Sequence, residues 1–143
     1  MSVKTFFSEA EQKQILEAIK AAELNTSGEI RVHLENFCPG NEIKRAIKVF
    51  KRLGMDRTRE RNGILIYLAV RSRKIAIIGD EGIHEKLGKP YWDKTVEHIL
   101  EHFRTHQKGQ GLSESIMECG KRLSKFFPRN DNDKNELSDA ISY

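Results

Sequence analysis

Residues 63–79 read GILIYLAVRSRKIAIIG. The first half, 63–70, is a nearly unbroken apolar run. Its length and β-branched content fit a central strand covered on both faces. Arg71-Ser72-Arg73 is short enough for a hairpin connection. Residues 74–79 then return as a second strand, antiparallel to the first.

Upstream, residues 29–35 alternate: Ile30, Val32 and Leu34 point one way, and Glu29, Arg31, His33 and Glu35 the other. That pattern predicts a half-buried strand. Between it and the central strand lies a helix capped by Asn41, carrying Ile43, Ala46, Ile47, Phe50 and Leu53, and ended by Gly54. A helical crossover of this kind joins parallel strands. Ser8 and Glu11 form a capping box for an earlier helix with Ile15, Leu16, Ile19 and Ala22 at helical spacing. Downstream, Asp80 is placed to cap a short helix over 81–87, and Pro90 to open a longer one over 90–106. Gly109 and Gly111 are expected to break the chain before a last helix from Leu112 to Phe127, stopped by Pro128. The order α-β-α-β-β-α-α-α predicts an α/β fold, a three-layer α/β/α sandwich around a small mixed sheet. One domain is expected over 1–128, followed by an acidic, disordered tail over 129–143.

The 143 residues suit one domain. No apolar run reaches the length of a membrane span, and the start lacks a secretory stretch. Cys38 and Cys119 are too few for a disulfide framework and read as reduced thiols, so a cytoplasmic location is expected. The net charge of +4 is unevenly placed. Residues 44–61 hold Lys44, Arg45, Lys48, Lys51, Arg52, Arg57, Arg59 and Arg61 against Asp56 and Glu60, a local balance of +6. Nucleic-acid signatures and interleaved aromatics are missing, so the helical part reads as a solvated face, and nucleic acid is not expected as a partner.

The predicted topology gathers Glu29, Arg61, Asn62 and Asp80 at one end of the sheet. Oxygen-rich groups there suit a hard cation. The plainer alternative is that Asp80 only caps a helix and Glu29 is only a solvated strand residue. His98-Ile99-Leu100-Glu101-His102 matches HxxEH, the inverted zinc-protease motif, but no third ligand is evident in a chain this short. The histidine row reads better as an adventitious site for Zn²⁺ or Ni²⁺. Cys119 and Trp92 sit at packing positions.

Several stretches resemble the TPM domain family, whose members include thylakoid-lumen proteins linked to photosystem II repair and many bacterial proteins. They are Ser27-Gly28-Glu29-Ile30-Arg31-Val32, Arg61-Asn62-Gly63 through Tyr67, Ile77-Ile78-Gly79-Asp80-Glu81-Gly82-Ile83, Tyr91-Trp92-Asp93, the stretch from Gly111 to Leu123, and Asn135-Glu136-Leu137. The chain is similar to the short cytosolic bacterial form. The resemblance implies an α/β/α sandwich and Ca²⁺ or Mg²⁺ binding in an acidic groove, with a phosphatase activity ascribed to some plant members. Carried onto this chain, it makes Glu29 and Asp80 groove carboxylates, with Glu81 and Asp93 as further metal ligands. In the phosphatase reading, which acts on phosphate esters, Arg61 orients the phosphate and Thr58 assists by hydrogen bonding.

Overall fold

A computed structural model describes residues 3–129 and 141–143. Strands β1 (Glu29–Glu35), β2 (Gly63–Ala69) and β3 (Lys74–Gly79) form one sheet in the order β1-β2-β3. β1 and β2 are parallel, in register from Glu29 opposite Gly63 to Glu35 opposite Ala69. β2 and β3 are antiparallel, with Ile64 opposite Gly79 and Ala69 opposite Lys74. Every residue of β2 is buried, as its continuous apolar run requires of a strand with neighbours on both edges and helices on both faces.

Three helices cover one face: α1 (Glu9–Glu23), α3 (Glu81–Arg104) and α4 (Lys108–Phe126). Ile15, Ile19, Ile83, Ile99, Leu112, Ile116 and Leu123 meet Ile30, Val32, Ile64, Ile66 and Ile77 there in one apolar cluster. Helix α2 (Glu42–Arg52) covers the other face, where Ala46, Val49 and Phe50 meet Leu65, Tyr67, Ala69 and Ala76. The protein is therefore a three-layer α/β/α sandwich. No described helix is long and apolar enough to cross a membrane. Cys38 and Cys119 are both free and buried.

The helix starts follow the local chemistry. The Ser8 hydroxyl accepts the Glu11 N–H at 3.1 Å, and the Glu11 carboxylate accepts the Ser8 N–H at 2.9 Å. Asn41 accepts the Lys44 N–H at 3.0 Å, and Gly54 ends α2 at φ 74°. Gly88, at φ 76° and ψ 170°, interrupts α3 just before Pro90, so the segment consists of a short helix followed by a longer one.

Three expectations need correction. Gly109 and Gly111 do not break the chain; both are buried in the first turns of α4. A Cβ on Gly111 would lie 2.3 Å from Cβ of His102, and one on Gly109 would lie 2.9 Å from Cγ of Glu11. These glycines let α4 close on α3 and α1. Second, the polar face of β1 is not open to solvent, since Glu29 and His33 are buried. Third, the last residues return to the sheet: the Leu34 N–H donates to the Ser142 carbonyl and the Ser142 N–H to the Val32 carbonyl, each at 2.9 Å. Residues 130–140, the body of the expected tail, lie outside the described residues, as does Asn135-Glu136-Leu137.

Candidate functional site

The parallel β1–β2 pair and the antiparallel β2–β3 pair bring the start of β1, the start of β2 and the end of β3 to one end of the sheet. Asp80 follows β3 directly. Its N–H donates to the Gly63 carbonyl at 2.9 Å, which ties it to the first residue of β2. Its carboxylate caps α3 by accepting the Glu81 N–H at 2.8 Å. The same carboxylate is gripped by the guanidinium of Arg61, with Nε to Oδ2 at 2.7 Å and Nη2 to Oδ1 at 2.9 Å. Such a fork fits a carboxylate with both oxygens used. Asp80 is 6% exposed and Arg61 41% exposed, so the buried anion is neutralised by a cation reached from solvent. The hydrogen bonds to Asp80 raise the pKa of Arg61, outweighing partial desolvation. Glu81 stands outside this pair, exposed, with Oε1 3.2 Å from Nη1 of Arg61.

The loop that carries Arg61 is held to the start of α3. The Gly82 N–H donates to the Arg61 carbonyl at 2.8 Å. A Cβ on Gly82 would lie 2.6 Å from the carbonyl oxygens of both Glu60 and Arg61, so no other residue fits there without moving backbone. Arg61 itself takes φ 53°, a left-handed conformation uncommon for a residue with a side chain. Asn62 is buried and donates to the Ser27 hydroxyl at 3.1 Å and to Glu60 at 3.3 Å, and Ser27 donates to Glu60 as well. In the same loop, Oδ1 of Asp56 and Oγ1 of Thr58 are buried without a hydrogen-bond partner.

Glu29 opens β1 opposite Gly63 and is 2% exposed. Asp93 lies elsewhere, past the Gly88 break. It is exposed, pairs with Lys89 at 2.8 Å, and borders a groove of about 590 Å³ between α2, β3 and α3. Glu29, Asp80 and Glu81 thus share one end of the sheet, whereas Asp93 does not join them. Among the described residues, the one trio of potential metal-ligating groups within 4.8 Å of one another is His98, His102 and Glu114. The histidines are legible as a row in the sequence; Glu114 comes from another helix and carries no local signal.

A second polar cluster stands at the opposite end of β1. Glu35 accepts from Arg45 at 2.8 and 2.9 Å and from the hydroxyl of Tyr67, and lies 3.3 Å from Nε2 of His33. Nδ1 of His33 is 2.7 Å from the Ser142 hydroxyl. Burial alone would raise the Glu35 pKa; the hydrogen bonds from Arg45, Tyr67 and His33 outweigh it and hold the carboxyl at about 2. Burial, with the bond to Glu35, pushes the Tyr67 phenol up, and burial pushes His33 down. Tyr67 reads in the sequence as one more member of an apolar run. Its hydroxyl needs a partner when buried, and that requirement is the only hint the sequence holds.

A model of the TPM domain matches residues 3–122. The fold is similar to the NMR structure of BA42 protein from the psychrophilic bacterium Bizionia argentinensis, with a TM-score of 0.88 and 41% identity over 99% of this chain and 97% of that one. It is also similar to the solution NMR structure of the N-terminal domain of a protein from P. gingivalis, with a TM-score of 0.68 and 19% identity over 85% of this chain and 78% of that one. No curated protein matches the chain.

Proposed function

The chain belongs to the TPM domain family, and from that membership we propose that it binds a divalent cation, Ca²⁺ or Mg²⁺, at the sheet end occupied by Glu29 and Asp80. The observation that carries this reading is the buried Asp80 carboxylate, whose positive partner is a half-exposed arginine. A buried carboxylate requires a cation or several donors. Arg61 meets that need from a side chain that is partly exposed; were it to swing into solvent, Oδ2 would be free for a metal while Oδ1 keeps the Glu81 N–H. Glu29, Asp80 and Glu81 supply hard carboxylate oxygens of the kind both ions prefer, and side-chain movement, above all of the exposed Glu81, would have to bring them into one coordination sphere. The buried, unbonded oxygens of Asp56 and Thr58 in the adjoining loop are further polar atoms that a bound ion or its waters would satisfy. Asp93 is the outlying member of the expected ligand set and would have to leave Lys89 to take part.

The second reading is a metal-dependent phosphatase acting on phosphate esters. The exposed guanidinium of Arg61 directly above the carboxylates favours it, because an arginine released from Asp80 is free to hold a phosphate with the same fork. Thr58 would assist by hydrogen bonding from the same loop. In such an enzyme the metal would polarise the phosphoryl oxygens.

An NMR titration of the ¹⁵N-labelled chain with Ca²⁺ and with Mg²⁺ tests the first reading. Saturable shifts at the amides of Glu29, Arg61, Asp80 and Gly82 are expected, and Asp80→Asn removes them. Amides that stay in place at millimolar metal would reject both readings. Turnover of a generic phosphate ester by the wild type, lost in Arg61→Ala with metal shifts retained, would favour the second over a pure binding module.

A further inference from the structure

Helix α3 and helix α4 meet at a point the sheet-end site does not touch, and there we propose a Zn²⁺ site made by His98, His102 and Glu114. His98 and His102 lie one turn apart on one face of α3, with ring centroids 4.3 Å apart. Nδ1 of His102 is 3.0 Å from the carbonyl oxygen of His98. A carbonyl only accepts, so Nδ1 carries the proton and the lone pair is on Nε2. Zinc-ligating histidines are held in this way, with one ring nitrogen donating to a carbonyl or carboxylate and the other free for metal.

Nε2 of His102 is 3.7 Å from Oε1 of Glu114 on α4. A tetrahedron with bonds of 2.0–2.2 Å has edges of about 3.4 Å. The pair is therefore within a few tenths of an ångström of zinc spacing. One ligand atom from each of the three residues lies within 4.8 Å of the others, so a small rotation of the exposed Glu114 side chain and the half-buried His98 ring closes the set. The approach is fixed by packing: Gly111, three residues before Glu114, sits against Cβ of His102 where no side chain fits. Two imidazoles and one carboxylate suit Zn²⁺ rather than Ca²⁺ or Mg²⁺. His102 is 18% exposed and Glu114 43% exposed, so the fourth position opens to water. Filled, the site links α3 to α4 and stabilises their contact. This inference is independent of the cation reading at Asp80.

The test is Zn²⁺ titration of the full chain by calorimetry and thermal denaturation, for wild type, His102→Ala and Glu114→Gln. Wild type should bind one Zn²⁺ and gain about 5–10 °C in Tm at a hundredfold excess of Zn²⁺ over its Kd. Glu114→Gln, a change at an exposed position, should keep the metal-free Tm and weaken Zn²⁺ binding about tenfold or more. His102→Ala should abolish the Tm gain. Absence of a Tm gain in wild type would overturn the proposal. Binding that Glu114→Gln leaves intact would overturn it too, since that is the behaviour of an adventitious histidine pair.

Discussion

Glu35 serves three neighbours with one carboxylate, and the consequence is readable in acid. Its pKa is depressed to about 2 from an ordinary 4.5. A depressed carboxylate contributes stability that is present above pH 4.5 and is lost as pH falls toward 2. The shift corresponds to about 3 kcal/mol at most, and solvent screening through the partly exposed Arg45 reduces that to about 1–2 kcal/mol. Urea midpoints measured from pH 7 to pH 2 should therefore fall below pH 4.5 in wild type. Glu35→Gln should lower the midpoint at pH 7 and flatten the slope between 4.5 and 2. His33 adds a separate, earlier loss. Burial lowers its pKa below 6.5, so the unfolded chain takes up the proton first and stability declines from that pH downward.

At the scale of elements, the contact between α3 and α4 turns on one position. Gly111→Ala would place a methyl carbon 2.3 Å from Cβ of His102, well inside van der Waals contact, so the helices must part. Overpacking of this kind costs about 1–3 kcal/mol, and urea unfolding of the metal-free variant should show it. The same substitution displaces Glu114 from His102 and should weaken Zn²⁺ binding. Gly111 also shows where sequence reading stops. A glycine that ends a helix and a glycine that admits a neighbouring helix look alike in one dimension, because the difference lies in what stands opposite. Asp80, Ser8 and Asn41 were legible because capping is a local bond to a residue one to three positions away. β1 was half legible. Its period-two alternation revealed a strand and the end at which Glu29 lies. That its polar face is covered depends on Arg45, Tyr67 and Ser142, which reach it from 10, 32 and 109 positions away in sequence. The grip of Arg61 on Asp80 was foreseeable as a pairing of charges at one sheet end, but the left-handed turn that aims it was not.

At the scale of the whole molecule, α1 and α4 lie side by side although the entire sheet separates them in sequence. The Ser27 N–H donates to the Phe127 carbonyl and the Arg129 N–H to the Asn25 carbonyl, both at 3.1 Å, which seals the pair at one end. Cys119, Leu123 and Gly120 of α4 complete the layer that buries Ile15, Ile19 and Ala22, and a Cβ on Gly120 would lie 2.6 Å from Cβ of Ala22. A chain ending at Arg104 keeps the sheet and α3 but uncovers this layer. It should show no cooperative thermal transition and poor amide dispersion by NMR. An orderly melt from that shorter chain would mean that α4 is an accessory to the fold.

The pairing of α1 with α4 also imposes a schedule on biosynthesis. The apolar stripe of α1 leaves the ribosome about 100 residues ahead of its partner α4. At 5–20 residues per second this is an interval of about 5–20 s. Throughout that time the nascent chain carries an apolar helix stripe without its partner helix, so a holdase acting during translation has more to protect here than one acting after release.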